Sequence, residues 1–125
     1  MFAKQWMLAG SVFGFFSVAL GAFGAHALKE SLSERSLEIF QTGVQYQMFH
    51  SLALLALGVW SALQPSVSTS FSGYAFVTGV VLFSGSLYAL AVTQIHYLGM
   101  ITPLGGVSFL LGWASFAWSV LKSSS

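Results

Sequence analysis

Four long apolar stretches alternate with short polar ones along this chain, and none of the four contains a charged residue. They cover approximately residues 5–28, 44–63, 71–93 and 100–121. Each is close to the roughly 20 residues that a helix needs to cross a hydrocarbon core of about 30 Å. In lipid the backbone must be hydrogen-bonded within the segment, and barrel strands would alternate polar with apolar residues. The pattern therefore predicts four transmembrane helices.

The polar links between these stretches are short, which favours antiparallel neighbours. The segment "QPSVSTS" separates the second stretch from the third, and its Pro65 acts as a helix breaker. Before the fourth stretch, Thr102 has the chemistry of an N-cap, and Pro103 suits the first helical position. We predict an all-α membrane protein: a single domain over 1–125, folded as an antiparallel four-transmembrane-helix bundle with both termini on one side.

The first link is longer and amphipathic. Ser31 and Glu34 have the spacing of a capping box. The positions on one helical face are Leu32, Ser36, Ile39, Phe40 and Gly43, and those on the other are Glu34, Glu38, Gln41 and Gln45. This indicates a short amphipathic helix at the membrane interface, with a simple solvated connector as the alternative. Its acidic face argues against a tether to anionic lipid.

The first stretch also has features of a secretory signal peptide, with Lys4 before it and Ala25-His26-Ala27 near its end. Its apolar part exceeds the usual 7–15 residues of such a signal, so we predict a retained span. Lysine and arginine are equally numerous on the two sides, with Lys4 and Lys122 on one and Lys29 and Arg35 on the other. The positive-inside rule therefore selects neither orientation.

Composition agrees with this pattern: 56% of the 125 residues are hydrophobic and 6% are charged. Globular domains carry about 25% charged residues, so the surface of this protein must face lipid. The net charge of +1 is too small for the basic surface that nucleic-acid binding requires. The absence of cysteine excludes disulfides and thiolate chemistry. We expect an integral protein of the bacterial cell (inner) membrane, with membrane lipid as its partner.

Small residues recur at spacings of three and four in the first and fourth stretches. The first series is Gly10, Gly14, Ser17, Gly21 and Gly24, and the second is Gly105, Ser108, Gly112, Ser115 and Ser119. Such stripes let membrane helices approach closely. We predict that they are packing faces, directed either toward each other or toward a second subunit.

The two ends of the bundle differ in chemistry. Trp6, Trp60, Tyr74 and Trp118 lie on the termini side and predict an interfacial aromatic belt. The other end is polar, and its candidate pocket residues are His50, Gln47, Tyr46, Tyr88, Ser84, Thr102 and His26. His50 lies about two turns inside the second stretch, where a polar ring needs partners. We interpret it either as an interhelical hydrogen bond or as the centre of a pocket for a ligand or a proton, and His26 as a group at the end of a span.

Four segments of the chain resemble successive motifs of a known family. They are "GAFGAHALKE", "TGVQYQMFHSLALL", "FSGSLYAL" and "LGMITPLGGVSFLLGW". In order and spacing they are similar to the small membrane proteins known as domain of unknown function 423, which are themselves similar to the animal transmembrane protein 256. The resemblance extends from Gly10 to Trp113 and implies four membrane helices and no particular reaction. His26, Gln47, His50, Ser84, Tyr88, Thr102 and Pro103 lie within the matching motifs.

The candidate chemistry is limited. No stretch contains a carboxylate, no nucleophile and base stand at a recognisable spacing, and the three histidines fit no ligand motif for metal or haem. We therefore expect no catalytic residues, no cofactor, no metal and no enzyme activity. A structural or partner subunit in the bilayer is the first hypothesis. The alternative is a small transporter or channel, working as a homo-oligomer, with His50 in place of the usual membrane carboxylate.

Overall fold

The structure, a computed structural model, describes residues 2–123, with side chains from Lys4 onward. Within that part of the chain all regular structure is helical, and four helical segments are long and apolar enough to cross a membrane. The four spans are Lys4–Leu28, Glu34–Leu63, Ser70–Thr93 and His96–Leu121. Consecutive spans pack against each other, the first on the second, the second on the third and the third on the fourth. The predicted four-helix membrane fold is confirmed.

Two spans contain a π-helical stretch between α-helical halves. In the first span, α-helix Phe2–Val18 passes through π-helix Ala19–Gly24 into Ala25–Leu28. In the third, α-helix Ser70–Gly79 passes through π-helix Val80–Ser84 into Gly85–Thr93. A π-helical turn accommodates an extra residue and changes the rotation of everything that follows it. In the first and third spans, these stretches therefore change which of the following side chains face the bundle.

The second span is one α-helix, Glu34–Leu63, and Ser33 caps its start by accepting a hydrogen bond from the Ser36 backbone N–H at 3.0 Å. The separate amphipathic helix and the Ser31 capping box predicted between spans 1 and 2 are therefore wrong. The amphipathic turns exist, but no helix breaker separates them from the span. Thirty residues extend about 45 Å, so the first turns of this helix reach beyond a hydrocarbon core of about 30 Å.

The last connection is tight. The third span ends at Thr93, and the φ of 59° at the following Gln94 gives the left-handed conformation that often terminates helices. A 3-10 turn, His96–Met100, leads into α-helix Thr102–Leu121 with a proline in its first turn. The predicted Thr102 N-cap is wrong, because Thr102 is already helical and its hydroxyl bonds the Ser86 hydroxyl at 2.5 Å.

The small residues of the first span lie against the second span. A methyl group built on Gly10 would fall 2.7 Å from the Ser51 carbonyl oxygen, and one on Gly14 would fall 2.9 Å from the Ser51 hydroxyl. Gly21 lies against Val44. Ser17 is buried, and its hydroxyl bonds a carbonyl of its own helix. Among the described residues, the stripe therefore packs on the second span, and Gly14 also borders the outer surface of the first span.

The stripe of the fourth span lies against the third. Gly105 meets the backbone of Phe83, and Gly112 meets the ring of Phe76.

Trp6, at the termini side, also packs over a glycine: its indole covers Gly73 and is only 1% exposed. Its predicted place in a lipid-facing belt is therefore wrong: the space over the glycine takes the ring into the core. Tyr74 and Trp118 remain exposed as predicted for such a belt.

Candidate functional site

His50 is held between two spans by both of its ring nitrogens. Nδ1 lies 2.7 Å from the Tyr46 carbonyl oxygen, one turn earlier in the same helix. The indole N–H of Trp113, in the fourth span, donates to Nε2 at 2.9 Å. A carbonyl can only accept and an indole can only donate, so this arrangement requires a proton on Nδ1 and a lone pair on Nε2. The neutral Nδ1–H tautomer satisfies both contacts.

The surroundings of the His50 ring are aromatic. The Phe109 ring stacks on it at a centroid distance of 3.6 Å and an interplanar angle of 7°. Phe76 and Trp113 approach at 5.6 and 5.7 Å, and the imidazole is 4% exposed. No charged side chain is part of this enclosure among the residues that the structure describes. The geometry suits a fixed hydrogen bond in an apolar interior.

Gln47, one turn before His50, joins three spans. Its Nε2 donates to the Phe13 carbonyl of the first span at 2.9 Å. Its Oε1 accepts from the Tyr88 hydroxyl of the third span at 2.6 Å. Close by, the Ser84 hydroxyl donates to the Gly43 carbonyl at 2.6 Å, from the end of the π-helical stretch. Amide and hydroxyl groups are thus bonded across helix interfaces.

The seven residues expected to form one polar pocket are distributed over separate contacts. Thr102 pairs with Ser86 at the interface of the last two spans. Tyr46 is 37% exposed, and its ring lies against Phe83. His26 is exposed at the end of the first span and takes no part in the His50 contacts. The hydrogen bonds of Gln47, His50, Ser84, Tyr88 and Thr102 run to different partners, so the set has no common centre.

Several serine hydroxyls outside the expected polar pocket also link spans. Ser51 donates to the Gly10 carbonyl at 2.9 Å, and Ser108 donates to the Ala75 carbonyl at 2.7 Å. Two further pairs are Ser72 with Ser115 at 2.6 Å and Trp60 with Ser119 at 3.0 Å. The small-residue spacing in the sequence identified the helix face on which Ser108, Ser115 and Ser119 lie. It did not indicate that these hydroxyls form hydrogen bonds to another span.

A cavity of about 360 Å³ lies at the polar end of the bundle, away from His50. The start of the second span and the end of the third form it together with the turn that follows. Its lining residues are Ser33, Arg35, Ser36, Ile39, Leu90, Gln94 and His96. Sequence reasoning missed it because two connections that are far apart in the chain build it. Among the described residues, no three His, Asp or Glu side chains converge as a metal site would require.

Comparison with known proteins gives a consistent picture. The family model described as "Protein of unknown function (DUF423)" matches residues 20–106. The Haemophilus influenzae UPF0382 membrane protein is 47% identical over 112 residues, which is 90% of each chain. The Escherichia coli UPF0382 inner membrane protein YgdD is 43% identical over 114 residues, 91% of this chain and 87% of that one.

A third relative, the Bacillus subtilis UPF0382 membrane protein YwdK, is 41% identical over 120 residues, covering 95% of this chain and 98% of its own. No solved structure matches the chain significantly. The family resemblance indicated by the four motifs is confirmed by both the family model and these relatives.

Proposed function

Because the chain belongs to the DUF423 family of membrane proteins, we propose that it is a structural, non-catalytic protein of the bacterial inner membrane that assembles with a second copy of itself. The family description names no activity. The cellular location rests on the four apolar spans and on bacterial relatives named as membrane or inner membrane proteins. The proposed role rests on how the polar groups of the interior are used.

One observation carries this proposal: His50, Gln47 and several serines between the spans are bonded to other side chains or to backbone carbonyls, whereas the buried indole N–H of Trp6 has no partner among the described residues. His50 uses both ring nitrogens, and Gln47 uses both ends of its amide. Polar groups inside a membrane are costly and usually mark a pathway or a site when they are free. Here these polar groups form hydrogen bonds that hold the helices together, as expected of a structural bundle.

The transport alternative has less support. A proton carrier must exchange protons with water, but His50 is 4% exposed and enclosed by Phe109, Phe76 and Trp113. An enzyme would need a nucleophile beside a base, and the His50 nitrogens face a carbonyl oxygen and an indole N–H. Neither activity explains the arrangement as well as a structural role does.

The first span provides the face for assembly. It is the least covered of the four, and its outer surface forms an open apolar groove of about 620 Å³. The groove contains Ser11, Gly14 and Ala19 between the larger Phe15 and Phe23. Small residues flanked by bulky ones favour close helix approach in lipid. Identical faces of two copies meet around a twofold axis.

Disulfide cross-linking in native membranes tests this proposal, because the chain has no cysteine of its own. Val18→Cys places a thiol in the groove, and Leu110→Cys is the matched control on the exposed face of the fourth span. We expect an oxidant to convert the Val18 variant, but not the control, into a covalent dimer. Equal cross-linking of both variants, or of neither, would contradict assembly through the first span.

A further inference from the structure

We propose that the cavity beside Arg35 binds the phosphate of a phospholipid headgroup. The cavity opens at the level where the second span begins and the third ends, which is the interface between hydrocarbon and water. Its lining residues include Arg35, Gln94 and His96. A guanidinium presents several N–H groups in a planar fork that matches phosphate oxygens. Phosphodiesters are the anions that a bilayer places at this depth.

The apolar part of the cavity fits the remainder of such a lipid. Ile39 and Leu90 line it. The same cavity therefore offers donors toward water and apolar surface toward the hydrocarbon, as an amphipathic lipid requires. Ser33 adds a hydroxyl at the start of the second span, where the positive end of the helix dipole favours an anion.

The acidic residues at this end leave the cavity available to an anion. Glu38 lies 3.8 Å from Arg35, but both side chains are largely exposed, at 65% and 81%. Exposed pairs of this kind contribute little, so a phosphate can compete for Arg35 at small cost. Glu30 and Glu34 do not line the cavity. The acidic residues of the second span thus weaken the general attraction of this end of the bundle to anionic lipid. They leave the cavity itself open to a phosphate.

Thermal stability of the detergent-purified protein, titrated with short-chain dioctanoyl phosphatidylglycerol, tests the proposal. A lipid that binds the folded state raises the melting temperature with a dependence on its concentration. We expect saturable stabilisation of the wild type and about tenfold weaker binding by Arg35→Gln, the scale of one lost charge-assisted contact. Lys29→Gln is the matched control: it removes a cation from the same end of the bundle that does not line the cavity. Its titration should match the wild type.

Two wild-type titrations keep the test independent of how the variants fold. Dioctanoylglycerol has the same chains without the phosphate, and we expect it to stabilise the protein far less. Inorganic phosphate supplies the anion alone, and we expect no comparable shift at equal concentration. The proposal is overturned if dioctanoylglycerol stabilises as strongly, if inorganic phosphate suffices, if phosphatidylglycerol has no effect, or if Arg35→Gln and Lys29→Gln weaken binding equally.

Discussion

The indole N–H of Trp113 points at Nε2 of His50 from 2.9 Å and joins the fourth span to the second. The other ring nitrogen of His50 is already bonded to the Tyr46 carbonyl oxygen. The two contacts fix the position of the proton, the plane of the ring and the distance between the helices. The interhelical hydrogen bond, one of the two interpretations of His50, is therefore present, and the pocket for a ligand or a proton stays a prediction.

His50→Leu should destabilise the protein by about 1–3 kcal/mol, because it leaves the Trp113 N–H, which lies within a membrane span, without an acceptor. His26→Leu is the control and should change stability by less than about 0.5 kcal/mol, since His26 is exposed at the end of its span. The measurement is reversible unfolding in mixed micelles. Similar losses from both substitutions would show that the Trp113 contact is not what holds His50.

The double variant His50→Leu with Trp113→Phe separates the hydrogen bond from packing. Once the indole N–H is gone there is no orphaned donor, so adding Trp113→Phe to His50→Leu should cost less than Trp113→Phe does alone. Additive losses would mean that the two side chains stabilise the bundle independently.

The ring signals of His50 should remain those of the neutral Nδ1–H tautomer across the range in which an unperturbed histidine changes charge, about pH 5 to 8. The reason is geometric: a proton added at Nε2 would face the donating N–H of Trp113. Nitrogen-detected NMR of histidine-labelled protein measures the protonation of each His50 ring nitrogen. A His50 signal that moves with pH would favour the transport alternative.

The four spans were predictable because apolar length is a local property of the sequence. The relation of His50 to Trp113 was not, since it depends on how each helix is rotated about its axis. That rotation is changed by the π-helical stretches Ala19–Gly24 and Val80–Ser84, which hydropathy does not reveal. Arg35 and His96 illustrate a second limit: their cavity exists only once two separate connections meet.

The predicted topology can be tested with single cysteines. Lys4→Cys and Lys122→Cys lie at opposite ends of the chain but, with four antiparallel spans, on the same side of the membrane. A membrane-impermeant thiol reagent should label both from one side and Arg35→Cys only from the other. Labelling of the Lys4 and Lys122 variants from opposite sides would require an odd number of spans.

The strongest test of the packing faces compares two adjacent glycines of the fourth span. A methyl group added at Gly105 would fall 2.7 Å from the Cα of Phe83, where the third span's backbone cannot yield. One added at Gly106 would meet nothing within 4 Å. Gly105→Ala should therefore cost about 1–3 kcal/mol of stability, the scale of overpacking in a close-packed interior.

Gly106→Ala serves as the matched control, because it makes the same chemical change one residue later in the same helix. It should be neutral or stabilising by up to about 1 kcal/mol, since alanine loses less backbone freedom than glycine on forming a helix. Unfolding in mixed micelles measures both variants. A loss of stability in Gly105→Ala alone would locate the close approach of spans three and four at Gly105, whereas equal effects would show that the stripe reflects helix propensity and not packing.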